Sequence, residues 1–433
     1  MLAPLIHEVI GTPDGLAVEA YDGSRAGPAG DGVPVLVIAS PDAVARVVTR
    51  PGELGLARAW VAGDLDVRGD LYAAVEQLEH FDGGKVPLVS VARLLREAGF
   101  GAVRRLPPPP EESALSGRRH SRRRDADSIS HHYDVSNDFY RLFLGPTMTY
   151  SCAVFATSDT PLDDAQEAKY ELICNKLGLE PGMRLLDIGC GWGGMVLHAA
   201  RHHGVVAVGV TISEEQAALA RQRVADAGLD GKVEIRVQDY REVYDGPFDA
   251  ISSIGMFEHV GRAGVDDYTA ALRRLVRPGG RVLNHAISRP PQAPGLRRFG
   301  NLSSTAYRVA EALGSSRATR IDSAFMDRYV FPDGELFEVG SVVTHLQSAG
   351  LEARHVESLR PHYALTLRHW VANLEAHWDE AVAMVGERRA RVWRLYMALS
   401  ARGFERGNIA VHQVLAVRPH ADGADDLPLR PAW

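Results

Sequence analysis

Cysteine is scarce in this sequence: only Cys152, Cys174 and Cys190 occur among 433 residues. An odd, scattered set with no CxxC pair supports neither a disulfide framework nor a zinc site, and it fits a reducing cytoplasm. Long apolar runs are also missing. No stretch approaches the ~18 consecutive apolar residues that a spanning helix needs. The start, MLAPLIHEVIGTPDG, lacks the basic opening and long apolar core of a signal peptide. Nor is there an excess of positive charge. The net charge is −7, which disfavours generic nucleic-acid binding. No internal repeat is visible. If such a protein works on a membrane, it does so from the surface.

The length exceeds one ordinary domain, so two are expected. In the first, residues 1–104, Val33–Ser40 reads as a strand and Pro41–Arg50 as a helix with proline in its first turn. Ala57–Leu78 reads as a turn followed by a helix. This region shows no catalytic constellation. Residues 105–127 form a linker. Pro107–Pro110 is a stiff run, and Arg118, Arg119, Arg122, Arg123 and Arg124 follow closely. These arginines read either as a solvated connector or as a patch attracting anionic headgroups, at ~1 kcal/mol per residue near the surface. Without interleaved aromatics, nucleic acid is the weaker partner.

From residue 128 to 420 strands and helices alternate, with 421–433 as a tail. RLLDIGC, VVAVGVTI, VEIRVQDY, FDAISSIGM and RVLNHAIS read as strands. GGMVLHAARHHG, SEEQAALARQRVADAG (Ser213 as N-cap) and YTAALRRLVRPGG read as helices, the last ending in Pro-Gly-Gly. That alternation predicts an α/β fold with a parallel, doubly wound sheet. The irregular stretch 290–320 reads as an insertion at the mouth of the sheet, either a lid or inert surface.

LLDIGCGWGG carries the chemistry. Gly189, Gly191 and Gly194 fit GxGxxG after a buried strand, a pattern shared with dinucleotide-binding loops and with purely structural turns. Two details separate these readings. Asp187 immediately precedes the glycines, and the next strand ends at Thr211, where a dinucleotide site carries an acid for the ribose. DxGCGxG therefore points to S-adenosylmethionine and a class I methyltransferase.

Several motifs in order make the chain resemble the cyclopropane fatty acid synthases and the related mycolic acid and fatty acid methyltransferases. They are HHYDVSNDFYRLFLGPTMTYSCAVF (131–155), LDIGCGWGG (186–194), GVTISEEQ (209–216), MFEHVG (256–261), YVFPDGEL (329–336) and LRPHYALTLRHW (359–370). The resemblance covers about 130–418 and implies a Rossmann-like catalytic domain behind a smaller, lipid-associated N-terminal α/β domain. It implies that Tyr150, Ser151, Gly189, Gly191, Thr211, Ile212 and Gln216 contact S-adenosylmethionine. It further implies that Cys152, Glu258, His285, Ile287 and Tyr363 hold bicarbonate, Cys152 and Ile287 through their backbones. Taken singly, each has a plainer reading: Cys152 as a packed thiol, Glu258 as a helix cap, His285 as a satisfied core histidine, and Tyr363 as core.

The implied reaction is methyl transfer to a double bond of an unsaturated phospholipid acyl chain, closing a cyclopropane. A methylene-branched product, needing a partner reductase to become a methyl branch, is the alternative; a small-molecule O- or N-methyltransferase is the more distant one. The isolated alkene is a weak nucleophile and needs the sulfonium electrophile. The cation that follows must be shielded from water and must lose a proton to a base. Met148, Phe155, Met256 and Phe257 are candidates for an acyl tunnel, or ordinary core. No metal is expected. A cytoplasmic protein peripheral to the inner membrane face, and a homodimer, complete the expectation; carrier-bound acyl groups are the other substrate form.

Overall fold

The computed structural model describes residues 1–79, 88–99, 103–113, 136–290, 323–332, 334–431 and 433. The arginine-rich linker, the first five residues of the motif beginning at His131 and almost all of the 290–320 insertion lie outside these. Contacts divide the chain into two compact units.

The first unit holds residues 1–114, 292–332 and 379–402. Its sheet has Ala17–Ala20 (β1), Arg25–Ala26 (β2), Val35–Ile38 (β3) and Leu65–Arg68 (β4), in the order β2-β1-β3-β4. The strand expected at 33–40 is β3. It leads into the helix Pro41–Thr49, whose first turn is closed by Ser40 Oγ accepting from Asp42 N at 3.2 Å. Residues 57–78 differ from expectation. They contain the end of the helix Glu53–Ala62, then β4, then the helix Leu71–Glu79. Gly63, at φ +80, stops the first helix. The alternating LDVR then pairs with β3. Residues remote in sequence complete the unit. Arg391 donates to Trp60 O at 2.7 Å and Leu65 O at 2.6 Å, and Trp60 Nε1 donates back to Arg391 O at 2.9 Å.

The second unit has a seven-stranded sheet: Arg184–Ile188 (β5), Val206–Thr211 (β6), Val233–Val237 (β7), Phe248–Ile254 (β8), Val276–Ser288 (β9), Glu352–Ser358 (β10) and Ala410–Val417 (β11). The order is β10-β11-β9-β8-β5-β6-β7. β5 to β9 are parallel, as expected; β11 runs antiparallel between β9 and β10 and corrects the all-parallel picture. Successive residues of a strand face opposite ways, and here both faces are covered. Leu185, Leu283 and Leu415 pack on one side. Leu186, Val282 and Val414 pack on the other. The helix expected to end in Pro-Gly-Gly instead spans Gly261–Leu275. Val276 is already extended, and Pro278, Gly279 and Gly280 lie within β9, where the register against β8 jumps from Phe248↔Val276 to Ala250↔Arg281. A Cβ on Gly280 would sit 2.8 Å from Asp249 O, so the close approach admits only glycine. Among the described residues no helix is long and apolar enough to cross a membrane.

Candidate active site

The parallel strands place their C-terminal ends on one edge, and the order reverses beside β5. A crevice forms where chain connections diverge in this way. A cavity of about 480 Å³ lies there. Tyr150, Ser151, Gly189, Gly191, Thr211, Ile212 and Gln216 all line it. Gly189 has φ +79, and a Cβ there would meet Met256 Cβ at 2.9 Å; the tight turn and the close approach both require its missing side chain. Gly194 is needed for space alone, since a Cβ would overlap the Tyr170 hydroxyl. At the end of β6, Thr211 Oγ1 donates to Gln216 Oε1 at 2.9 Å and accepts from Ser213 N at 3.2 Å. The residue where a dinucleotide site has an acid thus orients an amide. Met148, also lining the cavity, has φ +51, a left-handed conformation uncommon for a side chain of its size.

Further lining residues carry charge. Lys169 is fully buried, donates to Ser151 Oγ at 3.0 Å and lies 3.8 Å from the Tyr170 ring centroid. Burial lowers its ammonium to about 7, with the Cys152 and Asp187 sites opposing. Asp187, at the end of β5, accepts from Ser252 Oγ at 2.6 Å. Burial raises its carboxyl to about 6, against that hydrogen bond and Lys169.

The other five expected residues do not line this cavity; a chain of contacts connects them instead. Ile287 N donates to Glu258 Oε1 at 2.6 Å. His285 lies two residues before Ile287 on β9 and so shares its face. Ile287 pairs with Val411 of β11, whose carbonyl accepts from Leu359 N at 2.9 Å. The Leu359 carbonyl in turn accepts from Tyr363 N at 3.2 Å and from Cys152 Sγ at 3.7 Å. The Tyr363 ring meets Trp370 at 6.0 Å, and Trp370 meets the cavity-lining Tyr150 at 5.3 Å, an aromatic path from one group to the other.

Two atoms in this second group are buried without a hydrogen-bond partner among the described residues: Glu258 Oε2 and His285 Nε2. Burial raises the Glu258 carboxyl to about 7, with the Ile287 N–H opposing. Burial also holds His285 neutral, its value lowered to about 3 with help from Lys169 and Lys176. The Cys152 thiol is pushed well above its ordinary value by burial, which excludes it as a ready nucleophile. Of the four tunnel candidates, Met148 and Met256 line the cavity. Phe257 packs in the core against Tyr268 and Phe337, and Phe155 stacks on His362 and His369.

Residues 120–414 match the family model described as mycolic acid cyclopropane synthetase. The chain belongs to that family. This member is 46% identical over 429 residues to a probable fatty acid methyltransferase of Mycobacterium tuberculosis, covering 96% of this chain and 94% of the relative. It is 35% identical over 407 residues to the tuberculostearic acid methyltransferase of the same organism, covering 92% and 86%. A crystallised mycolic acid cyclopropane synthase, CmaA1 complexed with SAH and CTAB, superposes with a TM-score of 0.59 at 35% identity, covering 67% of this chain and 97% of that one. The synthetase-family chain is therefore an S-adenosylmethionine-dependent methyltransferase with the class I fold expected from its glycine loop.

Sequence reasoning passed over Lys169, Lys176 and Gln413. The signal was present on the helix Leu162–Leu177. Gln166, Lys169, Ile173 and Lys176 recur at three- and four-residue spacing and are all fully buried. Polar side chains on an apolar stripe mark a polar interior that needs them.

Proposed function

We propose that the enzyme transfers the methyl group of S-adenosylmethionine to a double-bond carbon of an unsaturated phospholipid acyl chain and completes a cyclopropane ring. The observation that carries the reading is the pair of unpartnered buried atoms, Glu258 Oε2, on the carboxyl that accepts from Ile287 N, and His285 Nε2, on the residue two before Ile287 in β9. Leaving such atoms unpaired is costly, and together they fit a small ion that can both give and accept hydrogen bonds. Bicarbonate has that character, and its residence there would supply a base for the proton that a methylated acyl cation must lose. Glu258 would take the hydroxyl of the ion, and His285 and Tyr363 would donate to its oxygens. The protein's own part is to hold the two sites in fixed relation and to keep water away from the cationic chain. Tyr150, Ser151, Gly189, Gly191, Thr211, Ile212 and Gln216 would hold the cofactor, with Thr211 steering the Gln216 amide.

A methylene-branched product is the second reading, and the relative named as a tuberculostearic acid methyltransferase favours it. Both outcomes add one CH2 to the chain. They differ in which proton leaves, and the methylene product calls for a separate reductase to yield a methyl branch. Surface attachment through the arginine-rich linker would bring either reaction to a bilayer. The deciding experiment incubates the protein with methyl-labelled S-adenosylmethionine and oleoyl phospholipid vesicles, followed by mass and proton NMR analysis of the fatty acids. Cyclopropane signals establish ring closure, and vinyl signals of an exocyclic methylene establish the second reading. No incorporation by a cofactor-binding protein would overturn both and point to a small-molecule acceptor.

A further inference from the structure

The pair of unpartnered atoms has a direction as well as a place, and residues outside the five-membered group set it. His285 on β9 stands opposite Gln413 on β11. The two side chains meet at 3.2 Å, between His285 Nδ1 and Gln413 Nε2. The other end of the amide, Gln413 Oε1, accepts from Lys176 Nζ at 2.7 Å. Lys176 also pairs with Glu357, whose side chain reaches solvent. Lys176 and Gln413 themselves are fully buried.

The chemistry of this chain leaves one arrangement. A lysine ammonium can only donate, so the amide atom facing it is oxygen. The NH2 end of Gln413 then faces the histidine, and it too can only donate. Nδ1 must therefore accept and carries no proton. A neutral imidazole has one N–H, so the proton is on Nε2. Turning the amide over would set its NH2 against the Lys176 ammonium, donor against donor, in a buried place where neither group can turn to water.

We propose that Lys176 and Gln413 are positioning residues that fix His285 as the Nε2–H tautomer, so that the histidine presents a donor at its unpartnered ring nitrogen. The opposite tautomer would present a lone pair there and repel an anion. The role rests on the reading of Glu258 and His285 as an anion-binding pair, but the tautomer itself does not depend on any ion.

The experiment is nitrogen-15 NMR of the full-length protein labelled at histidine, recorded without bicarbonate and without lipid. The His285 signals are assigned by their loss in His285→Gln. The expected result is a pyrrole-type shift at Nε2 and a pyridine-type shift at Nδ1, unchanged from pH 6 to pH 8. A wild-type protein with the proton on Nδ1 overturns the proposal. In Gln413→Glu a carboxylate faces Nδ1, and the expected result is transfer of the proton to Nδ1 with loss of turnover. A wrong histidine tautomer costs up to about 10⁴-fold in a known catalytic triad, and a loss of about 100-fold or more with unchanged cofactor affinity is expected here. Lys176→Met should give a mixture of the two tautomers, and Lys176→Arg should restore the Nε2–H form. An unchanged tautomer and turnover in Gln413→Glu would overturn the relay. A wild-type Nε2–H signal in an enzyme whose turnover is indifferent to bicarbonate would instead sink the anion reading and leave the relay standing.

Discussion

Replacing Glu258 by glutamine should make the protein inactive and, at alkaline pH, more stable than wild type in relative terms. Burial holds this carboxyl at about 7 instead of its ordinary 4.5. At 1.36 kcal/mol per pH unit, that difference amounts to roughly 3 kcal/mol. The sign follows from which state ionises first. Below pH 4.5 the group is protonated in both states and costs nothing. As pH rises from 4.5 through 7, the unfolded chain ionises while the folded one resists, so the folded state loses stability. Between pH 5 and pH 8 the loss integrates to roughly 2.5 kcal/mol. The glutamine amide does not titrate, so the difference between variant and wild type should shift by that amount over the same interval. For a unit of this size the shift corresponds to roughly 5–10 °C in Tm. The amide retains an oxygen for Ile287 N but leaves an NH2 unpaired, an offset of about 1–3 kcal/mol that is independent of pH. The change with pH is therefore the quantity to read, by thermal or urea denaturation at both pH values. Parallel pH profiles for the two proteins would refute the claim that the carboxyl is buried without a compensating charge. In turnover assays the variant should fall by about 100-fold or more while cofactor affinity holds.

Three further outcomes are expected. Lys169→Met should weaken S-adenosylmethionine binding by roughly 10- to 100-fold, the worth of a hydrogen bond to a charged group; because the lysine sits at about 7, wild-type binding should take up protons at pH 7.5, seen in calorimetry as a buffer-dependent enthalpy that the variant lacks. Gly194→Ala drives a methyl group into the Tyr170 hydroxyl and should cost about 1–3 kcal/mol of stability by denaturation. Thr211→Val frees the Gln216 amide and should weaken cofactor binding by about 3- to 10-fold, with little change in turnover at saturation.

The glycine loop was legible because its requirements are local. A buried strand, a tight turn and a helix start lie within about a dozen residues, and each demands a recognisable residue type. The group around Glu258 rests on resemblance alone. Its members come from separate segments, and contacts such as Leu359 N to Val411 O leave no periodic trace in either segment. Lys169 and Lys176 stayed hidden because a charged residue on a helix ordinarily faces water, and here the ordinary expectation fails on both. β10 was missed for another reason: its residues are mostly half-buried or exposed, so it lacks the apolar alternation that announces a strand. The boundary at Leu275 was misplaced because Pro-Gly-Gly usually stops a helix, whereas here it sits inside a strand that needs a close backbone approach.

Lys169 and Lys176 stand seven residues apart on one helix, two turns, or about 10.5 Å along its axis. One lines the cavity beside the glycine loop and the other bonds the amide behind His285. The helix thus acts as a ruler whose two marks fall at the cavity proposed for the cofactor and behind the proposed anion site. Inserting or deleting a single residue between the marks would rotate one lysine by about 100° relative to the other, breaking one end while the other stayed whole. The length of this segment is therefore as constrained as the identity of any residue it carries.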